Sequence, residues 1–422
     1  MNILWIVNIT LPEAEKLLTG NGSLKTTGGW LVGGAEALSD QPGINLYIAS
    51  LYTRVDKLTR LEGKKIIYYL LPYGKGNDHI NHDYEPLWRE IRDAVHPDVV
   101  HLHGTEYTHG LAYIQACGAS NVCVSIQGLA GAYYQYTHTG LSKTELLLAQ
   151  TPFSLLRSGT FLDACFLKRM GKTEEEILRK VHHIIGRTSW DKAHTWAINP
   201  HAEYHYGGET LRKEFYRGQV WNYSECTPHT IFLSQARTAI KGLHMLLRAM
   251  PLVLRHFPDT IIRIAGDDVF RKDGCKDLLR LSDYGRIVRN LIRKYGLSNH
   301  IVFTGPLDGE GMCNEYLKCN VFVCPSSIEN SPNSLGEAQV LGVPVIASYV
   351  GGVMDMMRGD EEHIYRFEEV EILALKIVQL FERGDAVETE TMRKSALLRH
   401  DPEKNVSELV EVYEKIANSI VH

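Results

Sequence analysis

The stretch Cys324-Pro325-Ser326-Ser327-Ile328-Glu329-Asn330-Ser331-Pro332-Asn333-Ser334-Leu335-Gly336-Glu337-Ala338 carries more information than any other part of this 422-residue chain. It continues the apolar run Val321-Phe322-Val323, which reads as a strand covered on both faces. A polar loop comes next. A helix is predicted to begin near Pro332, because proline is pre-set for the first helical turn and Ser331 is a suitable cap. The free N–H groups of Asn333, Ser334 and Leu335 then point outward from a helix N-terminus, where they suit a phosphate. Glu329 falls in the loop before this helix and Glu337 more than a turn inside it. The two carboxylates flank the anion site, each placed to chelate a diol.

The same strand–loop–helix unit recurs along the whole chain. Strands are predicted at Ile3–Ile9, Ile44–Ser50, Lys65–Leu71, Val99–His103, Asn121–Gln127, His182–Thr188 and Ala202–Tyr206. In the second half they are Thr230–Ser234, Thr260–Ala265, His300–Thr304, Val321–Cys324 and Pro344–Ser348, with helices such as Leu243–His256, Gly285–Tyr295 and Gly309–Lys318 between them. Alternating units of this kind imply an α/β fold with open, mostly parallel, doubly wound sheets, and the strand number calls for two of them. The aperiodic stretch Arg217–Pro228 reads as the boundary, giving domains at 1–217 and 229–400. Residues 401–422 hold an amphipathic helix with Val406, Leu409, Val412, Tyr413 and Ile416 on one stripe. Ligands of such sheets bind at the carboxyl ends of the strands, so the chemistry is expected in strand-to-helix loops.

Composition narrows the function classes. Apolar residues make up 44 % and charged residues 23 %, an ordinary globular balance, and 45 Lys plus Arg against 50 Asp plus Glu give a net charge of −5. Sequence-independent nucleic-acid binding needs a basic field and is not expected as a partner mode. No apolar run is long enough to span a bilayer, and the first residues read as a strand rather than a secretory leader. Eight cysteines without a CxxC pair argue against both a disulfide framework and a zinc ribbon. The expected compartment is the cytoplasm.

Followed by Val340-Leu341-Gly342-Val343-Pro344-Val345-Ile346-Ala347, the opening stretch resembles the signature of the retaining glycosyltransferase family 4, glycosyl transferases group 1, of the bacterial glycan and polysaccharide type: Glu, seven residues, Glu. The resemblance implies the GT-B fold, two Rossmann-like domains facing across a cleft with the last helix returning to the first. It assigns Glu329 to hydroxyls of a donor sugar and Glu337 to ribose hydroxyls. Val350-Gly351-Gly352 also matches. Ser234-Gln235-Ala236-Arg237-Thr238-Ala239-Ile240-Lys241-Gly242 resembles the family's Arg…Lys-Gly element, in which Arg237 and Lys241 hold the donor diphosphate. Two cations at a strand end offset its charge and stabilise the leaving group. Thr26-Thr27-Gly28-Gly29 matches the family's glycine loop, where the backbone approaches a phosphate closely. The preceding Leu11–Lys25 reads as a long polar loop. Backbone near Gly266 and Gly305 is expected to meet the nucleotide base.

The implied activity is a retaining, metal-independent hexosyl transfer from a nucleotide-diphosphate sugar, UDP being the expected nucleotide, to an acceptor hydroxyl on a glycan or lipid-linked glycan. No cofactor is expected. The chain holds no Asp-x-Asp, and its 19 histidines show no recognised ligand spacing, so no metal residue is assigned. Where many family members carry a strand-end His, this chain has Gln127, which keeps a donor and an acceptor but does not titrate near neutrality. With His103 and Glu106, at the end of another strand, it is a candidate for sugar or acceptor contact. Residues 130–180 mix apolar runs with Lys143, Arg157, Lys168, Arg169 and Lys172, a candidate surface for peripheral contact with an anionic membrane. Two alternatives stand beside this reading: a non-catalytic nucleotide-sugar sensor, and a GT-B phosphorylase or epimerase.

Overall fold

A computed structural model describes residues 1–20, 29–73, 84–156, 159–268, 270 and 281–420, apart from the side chains of Phe153 and Ile420. The chain divides into two compact units. The first is built from Met1–Gly131, Arg169–Leu211 and His400–His422, the second from Ala132–Lys168 and Arg212–Arg399. The aperiodic stretch after Arg217 thus lies inside the second unit. So does Ala132–Lys168, a segment that sequence order alone puts with the first half.

The first unit holds an eight-stranded sheet: β1 (Asn2–Val7), β2 (Asn45–Tyr52), β3 (Thr59–Glu62), β4 (Ile66–Pro72), β5 (Val99–His103), β6 (Val122–Ser125), β7 (His183–Gly186) and β8 (Glu203–Tyr206). Its order is β3-β4-β2-β1-β5-β6-β7-β8, parallel throughout except for the β3–β4 pair. Central strands are continuous buried runs, as in Val99–His103, because both faces are covered. β3 was not legible: its residues alternate between half-buried and exposed at the sheet edge and carry no apolar run. Pro12–Thr19 is a helix rather than part of a polar loop, with proline in its first turn and Glu13 and Glu15 beside the positive end of its dipole. The helix Pro402–Ile420 packs on this unit through the expected stripe: Tyr413 and Ile416 are fully buried, and the Tyr413 hydroxyl accepts a 2.9 Å hydrogen bond from Trp5 Nε1.

The second unit has six parallel strands in the order β11-β10-β9-β12-β13-β14: β9 (Thr230–Leu233), β10 (Ile261–Ile264), β11 (Ile301–Phe303), β12 (Val321–Cys324), β13 (Val345–Ser348) and β14 (Ile364–Tyr365). Its core runs from Ile231 and Leu233 through Leu243, Leu246 and Leu247 to Ile346 and Ile377. Burying an aliphatic side chain of this size contributes about 1.5–3 kcal/mol, so these positions fix the register that presents the strand ends. None of the described helices is long and apolar enough to cross a membrane.

Candidate active site

The loop after β12 is polar in sequence and buried in structure: every residue from Val321 to Asn330 is buried. Burying Ser326, Ser327 and Glu329 requires partners, and the loop supplies them. Ser327 N–H donates to the Ile240 carbonyl at 2.7 Å, and its hydroxyl to the Tyr136 carbonyl at 3.2 Å. The Ser326 hydroxyl donates to Glu329 Oε1 at 2.8 Å. Lys241 Nζ donates to the same oxygen at 2.6 Å. Burial lowers the Lys241 pKa, but the charge and hydrogen bond of Glu329 outweigh it, so the ammonium stays protonated above its usual range. Sequence reading placed Lys241 and Glu329 on different parts of a ligand. They form an ion pair, and among the described residues two Lys241 N–H groups and Glu329 Oε2 have no further partner.

Two glycines make this pairing geometrically available. Gly242 has φ +71°, and a Cβ there would lie 1.6 Å from the Pro325 carbonyl oxygen, so the turn after Lys241 closes directly onto the loop after β12. Gly351 has φ +49°, and a Cβ would lie 1.9 Å from the Glu329 carbonyl oxygen. The neighbouring Gly352 N–H donates to that same oxygen at 3.0 Å. Two separate segments thus close on the loop that carries Glu329, and only glycine fits at the tight contact each makes.

The helix that follows spans Asn333–Leu341. Ser331 is not its cap: Pro332 occupies the cap position without a side-chain hydrogen bond, and the Ser331 hydroxyl lies 3.7 Å from Met356 Sδ. The Leu335 N–H is not free either, since it donates to the Pro332 carbonyl at 3.0 Å in a tightened first turn. The amides of Asn333 and Ser334 have no acceptor among the described residues, and Asn333 Oδ1 is buried without a donor. The anion site predicted at this terminus therefore has two amides rather than three.

Glu337 is buried in the same helix. Arg212 grips one of its oxygens, Oε1, through Nε at 2.9 Å and Nη2 at 2.8 Å, and the Tyr316 hydroxyl lies 3.4 Å from Oε2. Burial pushes the carboxyl up to about 7 despite the opposing pull of Arg212. Arg212 was not singled out in the sequence. It lies 125 residues from Glu337, and no local spacing connects them. Ser326 had a signal, three residues before Glu329 in a Ser-Ser-x-Glu run. Arg237 is exposed and has no ion-pair partner among the described residues. Gly266, at the end of β10, has φ +106°, and its N–H donates to the Gly305 carbonyl at 2.9 Å, joining the two loops expected near a base.

In the first unit, Gly28 lies outside the described residues, and Gly29 opens the helix Gly29–Ser39. His103 is buried with neither ring nitrogen hydrogen-bonded among the described residues, and burial, then His101 and Arg187, holds its pKa well below the usual range. Its ring lies 4.3 Å from that of Trp5. Asn8 Nδ2 donates to the His103 carbonyl at 3.0 Å and to Glu106 Oε1 at 3.3 Å. Burial raises the Glu106 carboxyl to about 6, against the pull of the backbone amides of Glu106 and Thr105. Gln127 follows β6 and is half-buried, next to the Ile126 carbonyl that accepts from Arg187 Nη1 at 3.1 Å. A pocket of about 70 Å³ in this unit is lined by Trp30, His103, Arg187, Glu209 and Asn405, among others.

The chain is similar to known proteins both in sequence and in fold. Residues 227–383 match the family described as glycosyl transferases group 1. That segment contains Arg237, Lys241, Gly266, Glu329 and Glu337 but not Arg212. Over 126 residues the chain is 30 % identical to an uncharacterized glycosyltransferase of Methanocaldococcus jannaschii, covering 30 % of this chain and 28 % of that protein. Over 205 residues it is 28 % identical to the phosphatidyl-myo-inositol mannosyltransferase of Mycobacterium leprae, covering 48 % of this chain and 50 % of that one. The chain thus spans half or less of the length of these curated relatives. In fold it is similar to sucrose-phosphate synthase from Thermosynechococcus elongatus, with TM-score 0.70 at 16 % identity over 99 % of this chain and 100 % of that one. Anabaena HepE in complex with UDP and glucose gives TM-score 0.60 at 14 % identity over 98 % of this chain and 100 % of that one. With two parallel-sheet α/β units, the fold is GT-B.

Proposed function

We propose that this chain is a retaining, metal-independent glycosyltransferase of family 4 that moves a hexose from a nucleotide-diphosphate sugar, with UDP the expected nucleotide, to an acceptor hydroxyl. The observation that carries the reading is the Lys241–Glu329 pair held between the glycine closures at Gly242 and Gly351. Among the described residues it leaves a cation with two spare donors beside a carboxylate oxygen with no partner, which suits a diphosphate next to a sugar hydroxyl. Lys241, the exposed Arg237 and the open amides of Asn333 and Ser334 supply positive field for the diphosphate without a metal. Glu329 Oε2 accepts from a donor-sugar hydroxyl, and Glu337, held by Arg212, faces the ribose. Gly266 and the Gly28-Gly29 loop contribute backbone to the donor.

In this mechanism the bond from the sugar C1 to the donor phosphate oxygen breaks. The acceptor oxygen bonds to C1 on the same face, and the acceptor proton passes to the departing phosphate oxygen. Lys241 and Arg237 stabilise the charge that gathers on the nucleoside diphosphate as it leaves. No opposed pair of carboxylates is needed. Gln127, His103 and Glu106 are proposed to contact sugar or acceptor. For the acceptor we propose a glycan on a lipid. Leu147, Leu148, Leu155, Leu156 and Phe161 are 63–81 % exposed in the second unit, near the exposed Lys143 and Lys168. Apolar side chains with flanking cations suit peripheral contact with an anionic bilayer.

Calorimetric titration with UDP, GDP and ADP, each with and without EDTA, tests the donor site. Binding of one nucleotide that is indifferent to EDTA supports the reading; binding of none, or only with a divalent cation, overturns it.

A further inference from the structure

One cluster shares no residue with the proposed donor site and has the donor-atom geometry of a metal centre. β7 and β8 are parallel neighbours at one edge of the eight-stranded sheet, in the register His183 to Glu203 and Ile185 to His205. Glu203 and His205, two residues apart on β8, project to the same face, and the register sets His183 beside Glu203. The result is His183 Nδ1 at 3.1 Å from His205 Nε2 and 3.9 Å from Glu203 Oε2, with one ligand atom from each residue inside a 4.8 Å span. Ligands at about 2.0–2.1 Å from a tetrahedral zinc ion lie roughly 3.3 Å apart, so little movement separates this cluster from a coordination shell.

We propose that His183, Glu203 and His205 form a binding site for a divalent transition-metal ion of the zinc type, which ties the edge strand β8 to β7. Two imidazoles and one carboxylate suit such an ion better than magnesium or calcium, which take oxygen ligands almost exclusively. The two imidazoles are nine-tenths or more buried, while Glu203 is 43 % exposed and leaves an entry path. In the metal-free chain the two rings share one proton between their facing nitrogens, and coordination moves it to the other nitrogen of the same ring by tautomer exchange. Lys415, from the helix Pro402–Ile420, pairs with Glu203 Oε1 and leaves Oε2 toward the histidines. Its charge opposes a nearby cation, so it weakens the site without occupying it.

The test uses the full chain stripped with EDTA, titrated with zinc chloride by calorimetry and with cobalt by its visible absorption. One equivalent should bind and raise the unfolding temperature, since the ion binds the folded state preferentially. His205→Ala should lose that equivalent, and Glu203→Gln, at an exposed position that does not endanger folding, should weaken binding by about tenfold or more. Lys415→Met should tighten it several-fold, an effect that a merely structural role for the lysine would not produce. Zinc uptake unchanged in Glu203→Gln and Lys415→Met, or no saturable uptake by the parent chain, overturns the proposal.

Discussion

The two units bury carboxylates in different company. In the second unit, Glu329 and Glu337 each meet a cation, Lys241 and Arg212. In the first, Glu106 meets an Asn side chain, and Glu174 accepts from the amides of Ala130 and Gly131 at 3.0 Å and the Thr105 hydroxyl at 3.2 Å. Neutral donors do not offset desolvation, and burial lifts Glu106 to about 6 and Glu174 to about 7. A cation is not always sufficient either, because Glu337 also reaches about 7 with Arg212 on it. Glu329 and Glu337 thus keep a cation in contact, whereas Glu106 and Glu174 rely on neutral donors; the first unit also holds a buried ion pair, Arg187 with Glu209 at 3.4 Å.

The largest effect expected from this contrast is at Lys241. Lys241→Ala leaves Glu329 buried without its cation and removes a diphosphate donor, so sugar-nucleotide turnover should fall by roughly 100- to 1,000-fold. Unchanged turnover would undo the site assignment. Arg212→Ala comes next. Removing one partner of a buried pair costs about 3 kcal/mol, and denaturant unfolding should show a greater loss at pH 8 than at pH 6, because Glu337 can protonate at the lower pH. An equal loss at both would mean that Glu337 is not the group left exposed to the cost.

Glu174 probes the other side of the comparison. Its folded pKa, about 7, lies above the ordinary value of about 4.3, so the folded chain holds a proton that the unfolded chain releases. That contribution is present at low pH and is lost as pH rises from about 4 through 7. Glu174→Gln should remove a pH-dependent loss on the order of 2 kcal/mol across this window, read from unfolding curves at pH 5 and pH 8. The smallest effect is at His103, whose nitrogens have no hydrogen bond to lose among the described residues. His103→Phe should change stability by under about 1 kcal/mol. If turnover then drops through the acceptor KM, His103 contacts the acceptor; if both stay level, its role is packing against Trp5.

The sequence-level reading recovers what depends on periodicity and local turn chemistry. Leu243–His256 and Gly309–Lys318 are helices with the predicted bounds, and the Tyr413 stripe is buried. It singles out Glu329, Glu337 and Lys241 but not the ion pairs that hold them. The Lys241–Glu329 bond spans 88 residues and the Arg212–Glu337 bond 125, and no spacing rule reaches that far. The same limit applies to His183 and Glu203, which become neighbours only through strand register. The edge strand β3 and the extra tightening at Leu335 escaped for the opposite reason: each is settled by a few backbone contacts with almost no compositional trace.

The hydrogen bond from Trp5 to Tyr413 joins residues 408 apart, and His101 Nδ1 lies 2.5 Å from the same buried hydroxyl. A chain emerging from the ribosome must therefore display the apolar faces of β1 and β5 long before their cover exists. The sheet whose strands are made first keeps part of its buried face open until the last segment of the chain is made.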